Sequence, residues 1–283
     1  MKNVREKIKK KIRKIEILSG LKSRSYLFGA FRSVFRGKGY DFRELSEYRP
    51  GDPVRHIDWK KFSYTNVPYL KTFDDERERR IVFMVDISGS MSKGFTQSKS
   101  ESACEFVAYL SNAALLNKDL VSLCVFDKDI REWLPFTKNP GSPYIFAEKS
   151  FTAGGAESVP DWGTVFKKAL LHIRKHYIVF IISDFRGWDF KSGQMRFMRS
   201  MADVIGIYIT HIGDIPAAIR SSLPFSDGRG AVSYKEALGI EAEFTEKLKR
   251  DFNAVRPSFL RASTADDPLL LIRKLFGERA RNG

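Results

Sequence analysis

Residues 81–90 read Ile-Val-Phe-Met-Val-Asp-Ile-Ser-Gly-Ser, and this stretch indicates the architecture of the chain. Its first five residues are all apolar, without the alternation of a half-exposed strand, which is typical of a strand buried on both faces of a parallel sheet. Three further runs have the same character, over residues 120–126, 177–182 and 204–209. Helical patterns lie between the runs, over residues 100–116, 164–175 and 193–201. Strand alternating with helix predicts a doubly wound α/β sheet in three layers.

The remaining segments are predicted to flank this sheet. We expect a last strand over residues 231–234, a charged helix over 236–252 and a closing helix over 268–279. Gly and Pro punctuate residues 37–78, which predicts an irregular, charge-rich segment. The predicted organisation is therefore a basic helical segment over residues 1–36, the irregular segment packing on the core over 37–78, and the α/β domain over 79–283.

Two of the predicted strands run directly into an aspartate, Asp86 and Asp184. Ligands bind at the carboxyl ends of the strands in open α/β sheets, so we expect the two carboxyl groups to converge. Ser88 and Ser90 follow Asp86 at alternate positions, which gives an oxygen-only group suited to a hard divalent ion such as Mg²⁺ or Mn²⁺. The same residue types also cap the start of a helix, and the Asp-x-Ser-x-Ser pattern alone does not separate the two interpretations.

This pattern resembles the metal-ion-dependent adhesion site of the von Willebrand factor A fold. That site has Asp-x-Ser-x-Ser after the first strand, a Thr from a later loop and an Asp after a later strand. The resemblance implies a von Willebrand A-like, Rossmann-like domain with a central, mainly parallel sheet. It also implies five residues around Mg²⁺ or Mn²⁺, namely Asp86, Ser88, Ser90, Thr164 and Asp184.

A second resemblance rests on the segment before the domain. The three stretches that carry it are Gly-Tyr-Asp-Phe-Arg-Glu-Leu-Ser-Glu-Tyr-Arg-Pro-Gly-Asp at 39–52, Arg-His-Ile-Asp-Trp at 55–59 and Phe-Asp-Asp-Glu-Arg at 73–77. They are similar to the bacterial family called domain of unknown function 58, whose members carry a von Willebrand A-like domain behind this block. Membership implies a partnership with a MoxR-type AAA+ ATPase, or with its client, in chaperone-like assembly or maturation.

The net charge of +15 is concentrated at the N-terminus, because residues 1–39 hold 13 Lys and Arg against 2 Glu. Apolar residues recur at steps of three and four over residues 3–18, which predicts a basic amphipathic helix. Its apolar stripe can pack on the protein's own core, lie on an anionic membrane through residues 1–18 or enter a partner's groove. We do not expect nucleic acid as a partner, since the aromatic residues that follow lie at near-helical spacing.

No stretch approaches the ~20 uninterrupted apolar residues of a membrane span, and the N-terminus lacks the apolar core of a secretory signal. We therefore expect a cytoplasmic protein, peripheral at the inner membrane if the basic helix binds lipid. The sequence contains no phosphate-binding Gly-x-x-x-x-Gly-Lys loop, and its four histidines are scattered. We expect a non-catalytic adaptor that binds a protein through its metal ion, with a Mg²⁺-dependent hydrolase and a membrane-bound scaffold as the alternatives.

Overall fold

The computed structural model describes residues 6, 10, 42–49, 52, 54, 57–73, 78–92, 98–151, 158–188, 193–211, 234–253 and 257–281. The chain divides into two compact units, a smaller one of Phe35–Glu78 and a larger one of Met1–Val34 together with Arg79–Gly283. Of the predicted basic helix, only Glu6 and Lys10 are among the described residues, and both are helical and exposed. The other residues of that helix lie outside the described part of the chain. Within the described part, no helix is both long enough and apolar enough to cross a bilayer.

The smaller unit is more regular than its composition predicts. It contains strand β1 (Phe42–Glu47), helix α1 (Trp59–Thr65) and strand β2 (Tyr69–Phe73), and the two strands pair antiparallel. Asp58 caps α1 by accepting hydrogen bonds from the backbone N–H groups of Lys60 and Lys61. Its carboxylate therefore helps to begin this helix, the role that a short acidic residue commonly has at an N-cap.

The larger unit begins with β3 (Arg80–Asp86), α2 (Lys99–Leu116), β4 (Leu120–Phe126), β5 (Ile130–Thr137), α3 (Ser142–Ser150) and α4 (Trp162–Ala169). It continues with β6 (Ile178–Ser183), α5 (Gly193–Met201), β7 (Asp203–Thr210), α6 (Tyr234–Phe252), β8 (Phe259–Ser263) and α7 (Pro268–Arg281). The sheet order is β5-β4-β3-β6-β7-β8, with every pairing parallel except that of β5 with β4. This is the doubly wound order with one reversed edge strand, and it confirms the predicted α/β, von Willebrand A-like architecture.

The sheet carries apolar side chains on both faces, as the unalternating runs predict. On one face, Val82 and Met84 of β3 pack with residues of α4, α5 and α6 in a single buried core. On the other face the ring of Phe83 lies 6.4 Å from that of Phe146 in α3, which also packs against α2. Helices therefore cover both faces of the sheet. The polar residues Asp86 and Ser183 stand at the ends of their strands.

Two local predictions were wrong, and two strands were missed. Helix α4 ends at Ala169, whereas the apolar spacing predicts a helix to residue 175. The predicted strand over 231–234 is contradicted at Tyr234, the only described residue of the four, because it begins α6. The last strand is β8 (Phe259–Ser263) instead, and β5 was missed as well. Both missed strands lie at edges of the sheet and are less apolar than the central ones, so their pattern is weak.

Candidate metal centre

Asp86 is the last residue of β3, and its carboxylate is fully buried at the carboxyl edge of the sheet. Oδ1 accepts a hydrogen bond of 2.8 Å from the backbone N–H of Ser88, and Oδ2 accepts one of 2.6 Å from the hydroxyl of Ser183. Ser183 ends β6, the strand that pairs with β3. The two strands that end in Asp86 and precede Asp184 are thus neighbours at the centre of the sheet, as the sequence predicts.

Burial and a second carboxylate both act on Asp86. The pKa of its carboxyl group is raised from the ordinary 3.8 to about 7, chiefly by burial and next by the negative charge of Asp184. The hydrogen bonds from Ser183 and Ser88 oppose this rise. Because the charged form is costly here, the site favours any cation that compensates it.

The hydroxyl groups of the two serines that follow Asp86 contact each other. Oγ of Ser88 and Oγ of Ser90 are hydrogen-bonded to each other at 3.1 Å, and both residues are buried. Two neighbouring ligands of an octahedral Mg²⁺ at about 2.1 Å stand about 3.0 Å apart, so this separation suits one edge of such a shell. The hydroxyls therefore fit adjacent positions on a hard divalent ion, and they contribute no charge.

Ser158 is a site residue that the sequence did not reveal. Its buried hydroxyl accepts a hydrogen bond of 3.3 Å from the backbone N–H of Gly89, between the two serines. It comes from the segment before α4, 69 positions along the chain, so no local spacing marks it. A third hydroxyl thus lies against the loop that holds Ser88 and Ser90.

Thr164 is placed differently from what the resemblance implies. Its hydroxyl donates to Asp161 Oδ2 at 2.7 Å, and its backbone N–H donates to Oδ1 of the same carboxylate at 3.2 Å. Asp161 is the N-cap of α4, and these bonds hold its pKa below the ordinary value. The Thr164 hydroxyl is therefore bonded to the residue that caps α4, and its role as a metal ligand stays a prediction.

Asp184 is buried and lies next to a cation that belongs to the chain itself. Oδ2 of Asp184 is 3.0 Å from Nζ of Lys99, and the exposed fractions of the two side chains are 3% and 7%. Lys99 is the first residue of α2. No sequence pattern marks this contact, because a lysine in the first turn of a helix is usually exposed.

An aromatic cluster positions the turn that follows Asp184. Phe185 adopts a φ of 49°, a left-handed conformation that a bulky residue rarely adopts. Its backbone N–H donates to Ser183 Oγ at 2.7 Å, and its ring stacks on that of Trp162 at 5.6 Å. The indole N–H of Trp162 in turn donates to the carbonyl of Arg186 at 2.9 Å. Buried packing therefore compensates the backbone strain beside Asp184.

Strand β4, which pairs with β3 on its other side, is also followed by a buried aspartate, Asp127, but this residue forms an ion pair. Asp127 follows β4 and accepts two hydrogen bonds from the guanidinium of Arg131, at 2.7 and 2.6 Å. Burial by itself would raise the pKa of Asp127, but the bonds from Arg131 keep it below the ordinary value. Asp127 is therefore held as a charged ion pair, unlike Asp86.

The donor chemistry of the site fits Mg²⁺ or Mn²⁺. Two carboxylates and up to three hydroxyls are hard oxygen ligands, the kind that these ions prefer. Among the described residues there is no group of three or more His, Cys, Asp or Glu side chains that could hold a metal ion, so a site here depends on the serine hydroxyls. His172 stacks on Trp133 at 4.5 Å, and His176 lies before β6, at the opposite end of that strand from Asp184.

Comparison with known proteins gives a family and several structures of similar fold. The family model described as "Protein of unknown function DUF58" matches residues 44–266. The solved structure of BatB from Bacteroides thetaiotaomicron is 15% identical with a TM-score of 0.44, and 72% of this chain and 99% of that one are covered. An aerotolerance-related membrane protein from Bacteroides fragilis is 17% identical with a TM-score of 0.46 and the same coverage. The SpRpn10 VWA domain is 10% identical with a TM-score of 0.41, covering 70% and 94%. No curated protein matches the chain.

Proposed function

The chain belongs to the DUF58 family, whose function is unknown, and we propose that it is a non-catalytic adaptor that binds an acidic side chain of a protein partner through Mg²⁺ or Mn²⁺. The ion would be held by Ser88 and Ser90, with Asp86 and Asp184 as its carboxylates. Thr164 remains a candidate ligand from the family resemblance, and Ser158 is a candidate from its position.

One observation carries the proposal, the 3.1 Å separation of the Ser88 and Ser90 hydroxyls beside a fully buried Asp86. A helix cap requires one side-chain oxygen that accepts from a backbone N–H, and it does not require two convergent hydroxyls. Lys99 compensates the charge of Asp184, and a further cation would favour ionisation of the buried Asp86 beside it. A divalent ion supplies that charge and can take both hydroxyls as ligands.

The charge of the site favours an acidic partner. The serines add no charge, Asp86 and Asp184 add two negative charges, and Lys99 adds a positive one. A divalent ion offsets both carboxylates wherever the Lys99 ammonium group lies, so a Glu or Asp carboxylate from another protein is not repelled by the site and can bind the ion. The ion itself supplies Lewis acidity and an open coordination position.

A MoxR-type AAA+ ATPase, or its client, is the partner that the family resemblance implies, and chaperone-like assembly or maturation is the corresponding process. The site's chemistry is compatible with either protein, since it specifies only an acidic group. The basic segment over residues 1–18 remains a candidate contact with an anionic membrane, and its residues other than Glu6 and Lys10 are outside the described part of the chain.

The test is co-purification of the chain with the MoxR-type ATPase of the same organism, with and without Mg²⁺. Wild type, Asp86→Ala and Asp129→Ala are compared, the last as a control because Asp129 pairs with Lys168 near the same edge of the sheet. We expect recovery with wild type and the control only when Mg²⁺ is present, and none with Asp86→Ala. Equal recovery from all samples would contradict a contact through the metal ion.

Titration calorimetry on the same proteins gives the direct measure of the site. Wild type and Asp129→Ala are expected to bind Mg²⁺, whereas Asp86→Ala is expected to lose binding and keep its circular dichroism spectrum. Unchanged affinity in Asp86→Ala would refute the assignment of the ligands. Mg²⁺-dependent turnover of a panel of phosphoesters by wild type, lost in Asp86→Ala, would favour the hydrolase alternative instead.

A further inference from the structure

The ammonium group of Lys99 is an unusual feature of this site. Lysine is almost never buried unless its charge is paired, and here the side chain is 7% exposed, with Nζ 3.0 Å from Oδ2 of Asp184. The two residues are 85 positions apart and come from α2 and the turn after β6. A buried ion pair of this kind adds little net stability, so stability alone does not account for it.

Helix α2 is anchored so that Lys99 is held at the site. Ser98 and Glu101 form a reciprocal capping box at the start of the helix. The backbone N–H and the hydroxyl of Ser100 both donate to the carbonyl of Met91, each at 2.9 Å. Met91 directly follows Ser90, so the loop with the serine hydroxyls and the first turn of α2 are joined by hydrogen bonds. The backbone of Lys99 is therefore fixed relative to the hydroxyl pair, and its side chain can change position.

We propose that Lys99 is the resident cation of the metal-free site and that Mg²⁺ competes with its ammonium group for the carboxylate of Asp184. This inference rests on the proposed function, because it concerns the same ion. Without metal, the ammonium group compensates Asp184 and keeps the site folded. When Mg²⁺ binds, Asp184 turns to the ion, and the ammonium group loses its contact with this carboxylate and moves toward solvent. Lys99 thereby weakens metal binding and links occupancy of the site to the concentration of Mg²⁺.

The first test is Lys99→Met, which keeps the length of the side chain and removes its charge. We expect its Mg²⁺ dissociation constant to fall by at least about tenfold, because a buried like charge that contacts a ligand opposes entry of the ion. Lys149→Met is the matched control, since it removes the same charge from an ion pair with Glu132 that is away from the site. The control is expected to bind Mg²⁺ as wild type does.

The second test uses wild type and does not depend on whether Lys99→Met folds. An amine-acylating reagent is applied with and without Mg²⁺, and the extent of labelling at each lysine is measured by mass spectrometry. We expect labelling of Lys99 to rise several-fold with Mg²⁺ while that of Lys149 stays constant. A rise that persists in Asp86→Ala would reflect a general effect of salt and would count against the proposal.

The outcomes separate this inference from the proposed function. If wild type binds Mg²⁺ through Asp86, but Lys99→Met binds it no more tightly than Lys149→Met and labelling of Lys99 does not change, the inference is wrong and the metal site stands. If wild type binds no Mg²⁺, the proposed function fails and the inference fails with it. Tighter binding by Lys99→Met together with Mg²⁺-dependent labelling of Lys99 supports both.

Discussion

The raised pKa of Asp86 predicts that the metal-free protein becomes less stable as the pH rises. A carboxyl group with a folded-state pKa of about 7 and an ordinary value of 3.8 binds more protons in the folded state than in the unfolded state between these two values. Stability from this group is therefore complete below about pH 4 and is lost as the pH rises through about 7. Asp86→Asn removes the titration, because the amide stays neutral.

The size of the effect follows from the two pKa values. A shift of about three units corresponds to about 4 kcal/mol over the whole range, of which about 3 kcal/mol lies between about pH 5 and pH 8. The assay is urea denaturation of wild type and Asp86→Asn in the presence of a chelator at a series of pH values. We expect the free energy of unfolding of wild type, relative to the variant, to fall by about 3 kcal/mol over that interval. Saturating Mg²⁺ is expected to restore stability at the higher pH, because it binds the ionised carboxylate.

Asp127→Asn is the matched control for this experiment. It makes the same substitution in a buried aspartate after the neighbouring strand, but Arg131 keeps the pKa of Asp127 low. Its carboxyl group is ionised in both states between about pH 5 and pH 8, so the difference from wild type is expected to stay constant there. Parallel pH profiles for wild type and Asp86→Asn would refute the reasoning, since they would mean that Asp86 is not desolvated next to Asp184.

Three further predictions concern the site, the core and the N-terminus. Ser158→Ala is expected to weaken Mg²⁺ binding by about tenfold and by more than Thr164→Ala, because only Ser158 bonds to the serine loop; equal losses in calorimetry would contradict this. Gly206→Ala is expected to destabilise the fold by about 1–3 kcal/mol in urea denaturation, because its methyl group would lie 2.8 Å from ring carbons of Phe252. Deletion of residues 1–18 is expected to abolish sedimentation with anionic vesicles and to leave Mg²⁺ binding unchanged; an unfolded product would instead show that the helix packs on the core.

Much of the fold was predictable because its central strands have a strong local pattern. Residues 81–85 and 178–182 are apolar at every position, so they can only be stable with both faces covered, and that requires helices on each side of the sheet. The edge strands β5 and β8 have exposed or half-buried positions, and this pattern does not distinguish them from loops. The end of α4 was missed for a related reason, since the residues beyond Ala169 keep apolar spacing in non-helical turns.

For the candidate site, the sequence pattern was enough to predict that Asp86 and Asp184 lie at the carboxyl edge of the sheet. Each follows a buried strand, and the carboxyl ends of parallel strands lie at one edge of the sheet. The residues that surround them could be identified only from the three-dimensional fold. Lys99 reaches Asp184 across 85 positions and Ser158 reaches Gly89 across 69, while Thr164 turns to Asp161 three positions away. Periodicity indicates which positions of one segment are buried, whereas these contacts depend on how loops from separate segments pack above the strand ends.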